Sequence, residues 1–325
     1  MFFDHAQDKK ILAIETSCDE TAIAVMECSG GVKAPHFRIL SNIVASQIAV
    51  HAPFGGVVPN LAKREHQKNL PFVLNKALRK AKIAPKHIDA IAVTVGPGLA
   101  PALWTGVNFA KELAEKWGKP LIPVNHMEGH IVSVLLSTSR ASLRGASKNE
   151  RRSNLDGIAT LPLDKLGVAR NDKQIKFPTL ALLVSGGHTE LVFMKNWKNK
   201  KIIGETLDDA AGEAFDKVGR LLGLGYPGGP AIFREAMLRS PTSVLWKSDF
   251  NNIKLPRPML YTKDYNFSFS GLKTAVRYLV ENLKQHNISV KKMRPAIAKE
   301  FQDAVVDVLV AKTIRAAKEY NVKTI

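Results

Sequence analysis

His126 and His130 stand four residues apart in the run HMEGHIVSVLLST. On a helix that spacing places two side chains on one face, one turn apart, where both imidazoles can reach a single metal ion. Two histidines leave a coordination sphere incomplete, and a carboxylate from elsewhere is the expected third ligand. A zinc peptidase needs Glu directly after the first His, where this chain has Met127. Glu128, two residues on, falls on nearly the opposite side of a helix and is badly placed as a general base. The pair speaks for metal chemistry and against peptide hydrolysis.

Two turns built of small and polar residues suit anions or acid–base work. In LALLVSGGHTELVFMK, Leu183 and Val184 lead into Ser185, Gly186 and Gly187, whose backbone N–H groups and hydroxyl are available to a phosphate. The turn Ser17-Cys18-Asp19-Glu20 is acidic instead. Carboxylates in a turn are ordinarily just solvated, but Asp19 and Glu20 interrupt two apolar strands, a position a cleft would reach. Asp208, Asp209, Glu213 and Asp216 cluster around a helix start, where favourable charge at the N-terminus accounts for most of them. Asp216 lies further along and could reach a ribose hydroxyl. GYPGGP (Gly225 to Pro230) offers bare backbone to a nucleotide, although Gly-Gly-Pro before a helix is also simple punctuation. Ser268, Ser270 and Lys273 in FSFSGLKT either approach phosphate or form a cap and first helical turn.

The elements that must position these residues are legible in outline. Ile11 to Glu27 and Leu180 to Lys195 each read as two antiparallel strands joined by a small-residue turn, which suggests two related lobes rather than a repeat array. DAIAVTVGPG (Asp89 to Gly98) is a buried-strand pattern ending in a tight turn. Helical spacing follows over Leu99 to Gly118, then a short strand over Pro120 to Asn125 and a helix from His126 to Thr138. Further helices are expected over Asp209 to Leu222, from about Leu272, and from about Pro295 to Tyr320. The closing NVKTI reads as a turn entering a new strand. Strands alternating with helices give an α/β class with a sheet at the centre of each lobe. Ser139 to Lys176 is Ser- and Arg-rich and lacks periodicity, so it reads as an exposed basic insertion. The expected division is a first lobe over 1–136, the insertion over 137–177 and a second lobe over 178–325.

Lys and Arg total 47 against 29 Asp and Glu, a formal charge of +18 over 325 residues. Such a surplus favours polyanionic partners, nucleic acid or an anionic membrane surface, the bland alternative being a solvated basic surface that aids solubility. No run approaches the roughly 18 apolar residues of a membrane span, the opening MFFDHAQDKK lacks the core of a signal peptide, and Cys18 and Cys28 alone make no disulfide framework. A cytoplasmic protein is expected.

IETSCDET, SQIAVHAPFGGVVPNLAKREH, HMEGH, LLVSGGHTEL, DDAAGEAFDKVGRLLGLGYPGGP and FSFSGLKT, in that order, resemble the bacterial TsaD-type tRNA N6-adenosine threonylcarbamoyltransferases, formerly called sialoglycoprotein endopeptidases. The resemblance runs from Ile11 onward except over Ser139 to Lys176. It implies a bilobal actin-like (ASKHA) α/β fold and transfer of a threonylcarbamoyl group from threonylcarbamoyl-AMP to the exocyclic amine of the adenosine just 3′ of the anticodon, in tRNAs reading codons that begin with A. By the same resemblance His126 and His130 are ligands of one divalent metal ion, iron or zinc. Leu183, Val184, Ser185, Gly186, Gly187, Asp216 and Gly229 contact the bound nucleotide, threonylcarbamoyl-AMP or ATP/ADP, and Asp19 is the acidic residue needed for transfer. The implied partners are tRNA, a TsaB-like paralogous subunit and a TsaE-like small ATPase.

Family members continue with a Gly-Gly-Val strand turn whose Asn touches the nucleotide, and with a Thr-Asp-Asn segment that supplies the third metal ligand. Neither segment follows the last expected helix within these residues. For a chain ending at Ile325 the expectation is weak metal binding, an open adenosine site and little or no transfer. A non-catalytic paralogue would lack the His126 and His130 pair, a sugar kinase or actin-like ATPase has no need of it, and a pure tRNA-binding module would not explain the paired turns.

Overall fold

The computed structural model describes residues 8–30, 36–133, 175–238 and 253–325. The chain divides into two compact units, Met1–Gly145 and Ala146–Ile325. The insertion expected over 137–177 falls almost wholly outside the described residues.

In the first unit, β1 (Lys9–Glu15), β2 (Glu20–Ser29), β3 (His36–Ser46), β4 (Ala90–Gly96) and β5 (Leu121–Asn125) form one sheet in the order β3-β2-β1-β4-β5. β1 pairs antiparallel with β2 and parallel with β4, and β4 pairs parallel with β5. Parallel neighbours need a crossover, supplied by α1 (Pro59–Ala81) and α2 (Ala100–Trp117). Leu12, Ile14, Ile23 and Val25 from the sheet pack with Leu70, Val73 and Ala77 of α1 and Ala110 and Leu113 of α2. Gly118 ends α2 in the left-handed conformation, φ 62°, that a side chain resists. Asn125, the last residue of β5, accepts the N–H groups of Met127 and Glu128 at 2.9 and 3.1 Å and so starts α3 (His126–Ser133). This is the sheet order of an actin-like lobe, as expected.

The second unit is built on β6 (Thr179–Val184), β7 (Thr189–Met194) and β8 (Lys200–Glu205), an antiparallel sheet in that order. Among the described residues four helices cover it: α4 (Ala211–Leu221), α5 (Gly228–Met237), α6 (Ser270–Gln285) and α7 (Val290–Glu319). Leu180 and Leu191 of the sheet meet Val218, Ile232, Phe267, Phe269, Val276 and Phe301 in one core. α7 begins before the expected Pro295. The proline forgoes one backbone hydrogen bond, and Met293, 4% exposed, anchors the added turn in that core. After α7, Thr324 makes a parallel bridge to Thr179, with the Leu180 N–H donating to its carbonyl at 3.0 Å. Among the described residues no helix is long and apolar enough to cross a membrane.

Candidate functional site

The capped start of α3 puts His126 half-buried and His130 exposed on one face. Their Nε2 atoms stand 3.1 Å apart, with the rings edge-on at 77°. A tetrahedral ion holding two imidazole nitrogens at 2.0–2.1 Å would set them about 3.3 Å apart, so the pair fits two positions around one metal. Among the described residues no set of three His, Cys, Asp or Glu side chains forms a metal cluster.

Behind the pair stands Glu15, the last residue of β1 and unrecognised in the sequence. Its Oε2 lies 3.3 Å from His126 Nδ1 and accepts the Thr94 hydroxyl, while Oε1 accepts the Ser17 N–H. Burial alone would raise this carboxyl, but the hydrogen bonds from His126, Ser17 and Thr94 outweigh it and hold the pKa at about 2. A permanent anion at Nδ1 keeps the proton on that nitrogen and turns the Nε2 lone pair toward His130. This is the carboxylate–histidine arrangement that orients a metal ligand. The only sequence signal was positional: a carboxylate at the end of a central strand whose parallel neighbour β4 is itself followed by the strand that delivers His126.

The turn after Glu15 carries Asp19, half-buried, and Glu20 opens β2. The turn is docked on the start of α2: Thr16 donates to the Ala102 carbonyl at 3.0 Å and Leu99 donates to that of Ser17 at 2.8 Å. A methyl group at Gly98 would lie 2.7 Å from the Ser17 oxygen, so the GPG turn has to be bare there. Cys18 is exposed on this turn, yet local desolvation, reinforced by the Asp19 carboxylate, pushes its thiol up to about 12. Burial also raises Glu20, aided by Asp19 and Glu15.

In the second unit the structure gathers most of the expected nucleotide residues. Leu183 is buried at the end of β6 and Val184 is exposed. Ser185 Oγ accepts the His188 N–H at 3.1 Å, which closes the turn, and a side chain added at Gly186 or Gly187 would meet open space. The N-terminus of α4 lies directly against this turn. Gly212 donates to the Ser185 carbonyl at 3.1 Å, and a Cβ there would come within 2.5 Å of that oxygen. Bare backbone beside the positive end of a helix suits a phosphate. Asp216, on α4, accepts the Gly228 N–H at 2.7 Å and fixes the start of α5, where Gly229 also faces open space.

The acidic cluster divides differently from the sequence expectation. Asp208 does not serve the helix that follows it. It accepts the Ser268 and Ser270 hydroxyls at 2.5 and 2.6 Å and the Phe269 N–H at 2.8 Å, capping α6 from sixty residues away. Both serines of FSFSGLKT are thereby used as a cap. Asp209 and Glu213 pair with Lys217 at 2.7 and 2.8 Å.

A family model described as TsaD, tRNA N6-adenosine threonylcarbamoyltransferase, matches residues 38–143 and 164–325. The chain belongs to that family. A tRNA N6-adenosine threonylcarbamoyltransferase from Thermosipho africanus (strain TCF52B) is 44% identical over 315 residues, covering 97% of this chain and 79% of the relative. One from Bacillus subtilis (strain 168) is 44% identical over 320 residues, covering 98% and 77%. Among solved structures the likeness is loose. The Aquifex aeolicus PPX-GPPA enzyme superposes with a TM-score of 0.36 at 10% identity over 95% of this chain and 93% of its own, and YeaZ from Pseudomonas aeruginosa with 0.29 at 13% over 60% and 64%.

Proposed function

We propose that this protein transfers the threonylcarbamoyl group of threonylcarbamoyl-AMP to N6 of the adenosine just 3′ of the anticodon, in the cytoplasm. Family membership supports the reaction class. The observation that carries the chemical reading is the convergence of His126 and His130 Nε2 atoms at 3.1 Å with Glu15 behind them.

The N6 amine attacks the carbamoyl carbonyl carbon, AMP departs, and the amine loses a proton. Adenine N6 is a poor nucleophile because its lone pair is delocalised into the ring, so orientation and charge stabilisation matter most. Asp19 orients the amine or accepts its proton. His126 and His130 hold one divalent ion, iron or zinc, which when bound supplies a Lewis acid toward the carbonyl. Ser185, Gly186 and Gly187 receive the nucleotide phosphate, with Leu183 and Val184 beside them. Asp216 and Gly229 take the ribose side. The lobe over 1–136 is thus the metal and acid–base lobe and that over 178–325 the adenylate lobe. The +18 charge fits a tRNA acceptor whose phosphates dominate affinity. A TsaB-like subunit and a TsaE-like ATPase are the proposed partners in repeated turnover.

The test is a single-turnover reaction with threonylcarbamoyl-AMP and a cognate tRNA transcript, read as modified nucleoside by mass spectrometry. It is run on this chain and on a version carrying a relative's C-terminal segment; the extended protein gives product, and its His126→Ala variant gives none, with loss of bound metal. Absence of product from both proteins supplemented with metal would overturn the assignment.

A further inference from the structure

The segment SQIAVHAPFGGVVPNLAKREH has no part in the chemistry above, yet it supplies an ordered buried network. Thr21, Gln47, His51 and His66 are at most 1% exposed. His66, on α1, lies 3.0 Å from the Cys18 carbonyl through Nε2. A carbonyl only accepts, so Nε2 carries the hydrogen. Burial pushes this imidazole toward its neutral form, so Nδ1 is an acceptor. It receives the Thr21 hydroxyl at 2.8 Å and shares its lone pair with the Gln47 amide nitrogen at 3.2 Å. That fixes the orientation of the amide, whose Oε1 accepts from His51 Nε2 at 3.0 Å. His51 Nδ1 in turn accepts the Val58 N–H at 3.3 Å. Every donor in the series Val58, His51, Gln47, His66 points the same way and the series ends on Cys18, an arrangement in which each bond polarises the next. The Gln47 backbone N–H meanwhile donates to the Asp19 carbonyl at 2.9 Å. Consecutive carbonyls, those of Cys18 and Asp19, are held by one network.

We infer that His66 is a positioning residue: with Gln47 and His51 it clamps the Cys18-Asp19 backbone and so fixes the direction in which Asp19 presents its carboxylate to the reacting amine. This rests on the reading of Asp19 as the residue that handles that amine. The network explains why polar residues occupy the interior between β3 and α1, where a mere structural filler would be apolar.

The experiment compares His66→Gln, which keeps one donor and one acceptor, with His66→Leu, which keeps bulk and loses both, alongside Thr21→Val and Asp19→Asn. Each is assayed for single-turnover rate, KM for tRNA, metal content and melting temperature. The expected result is a rate on the order of ten- to a hundredfold lower in His66→Leu, with KM and metal content unchanged. His66→Gln should recover most of the rate and Thr21→Val lose a few-fold. A rate in His66→Leu that falls only as far as its folded fraction, with wild-type turnover per folded molecule, overturns the clamp while leaving Asp19 in place. Full activity of Asp19→Asn removes the underlying reading instead. If His66→Leu does not fold, the 15N shifts of the wild-type histidines still decide: a neutral Nε2–H tautomer for His66 supports the clamp, and an Nδ1–H tautomer or a charged ring at neutral pH overturns it.

Discussion

Glu15 and His126 lie 111 residues apart in sequence, yet the carboxylate Oε2 sits 3.3 Å from the imidazole Nδ1. The contact exists because β1 and β4 are parallel neighbours and β5, next in the sheet, ends where α3 begins. A carboxylate in that position raises the basicity of the ligand and holds its ring angle. Glu15→Gln should therefore weaken metal binding about 10- to 100-fold while the protein stays folded. Chelator competition reads the affinity and a melting curve reads the fold. An unchanged affinity would reduce Glu15 to a structural carboxylate of the turn.

Asp19 is assigned to the chemical step, so Asp19→Asn should separate chemistry from metal binding. The single-turnover transfer rate should drop by about 10²- to 10⁴-fold, the range for loss of a positioned acid–base group. Metal content at His126 and His130 should remain that of wild type. Loss of metal together with activity would mean that Asp19 acts on the ion and not on the amine.

What the sequence disclosed follows physical locality. The hairpins, the GPG turn and α2 with its Gly118 stop are encoded within a few residues of themselves, and their readings match the elements found. Asp208 was read with the nearest helix start because helix–charge arguments are local, whereas its real partners lie at Ser268 to Ser270. The buried face of α1 runs through Ala62, His66, Leu70, Val73, Leu74 and Ala77, but its large apolar side chains all lie in the second half. Its first half is tied down by the buried His66, which sits on that stripe but whose polar type does not announce burial. Glu15 reads as the end of an apolar strand, and only sheet topology reveals what it faces. The His126 and His130 spacing was legible because one helical turn suffices to define it.

Cys18 lies in the reactive turn but should behave as a slow thiol. Local desolvation, with Asp19 beside it, pushes its pKa to about 12, and burial pushes Cys28 to about 11. An ordinary thiol at about 8.5 carries roughly a thousandfold more thiolate at neutral pH than one at 12. Alkylation of the native protein at pH 8, followed by peptide mass spectrometry, should label the exposed Cys18 slowly through its raised pKa and leave the buried Cys28 largely unmodified, and denaturant should speed both. Rapid labelling of Cys18 without denaturant would contradict the raised pKa.

Asp208 makes a pH dependence with a definite sign. Burial is the largest single influence and opposes its ionisation, but the hydroxyls of Ser268 and Ser270 and the N–H groups of Phe269 and Ser270 together outweigh it and lower its pKa below that of an ordinary aspartate. A depressed folded-state value means that the carboxylate stabilises the fold fully above the unfolded pKa, about 3.9. The contribution is lost as pH falls through the lower folded value. Asp208→Asn should cost about 1 kcal/mol at pH 7, as for loss of a helix cap. The gap to wild type should narrow in acid. Melting temperatures of both proteins between pH 2 and pH 7 check this, and a gap that widens in acid would reverse the assignment.

Gly212 and Gly186 allow packing and binding to be told apart in the second unit. A methyl group at Gly212 would come within 2.5 Å of the Ser185 carbonyl and 2.8 Å of the Gly186 Cα, so the helix or the turn has to move. Gly212→Ala should destabilise the protein by about 1–3 kcal/mol, as overpacking does, and displace the SGG turn. At Gly186 the same methyl group meets nothing within 4 Å. Gly186→Ala should leave the melting temperature almost unchanged, yet it places bulk where a phosphate would approach the backbone. Calorimetric titration with ADP should then show weakened binding in both variants but a lowered melting temperature only in Gly212→Ala. If Gly186→Ala binds ADP as wild type does, the nucleotide does not use the bare face of this turn.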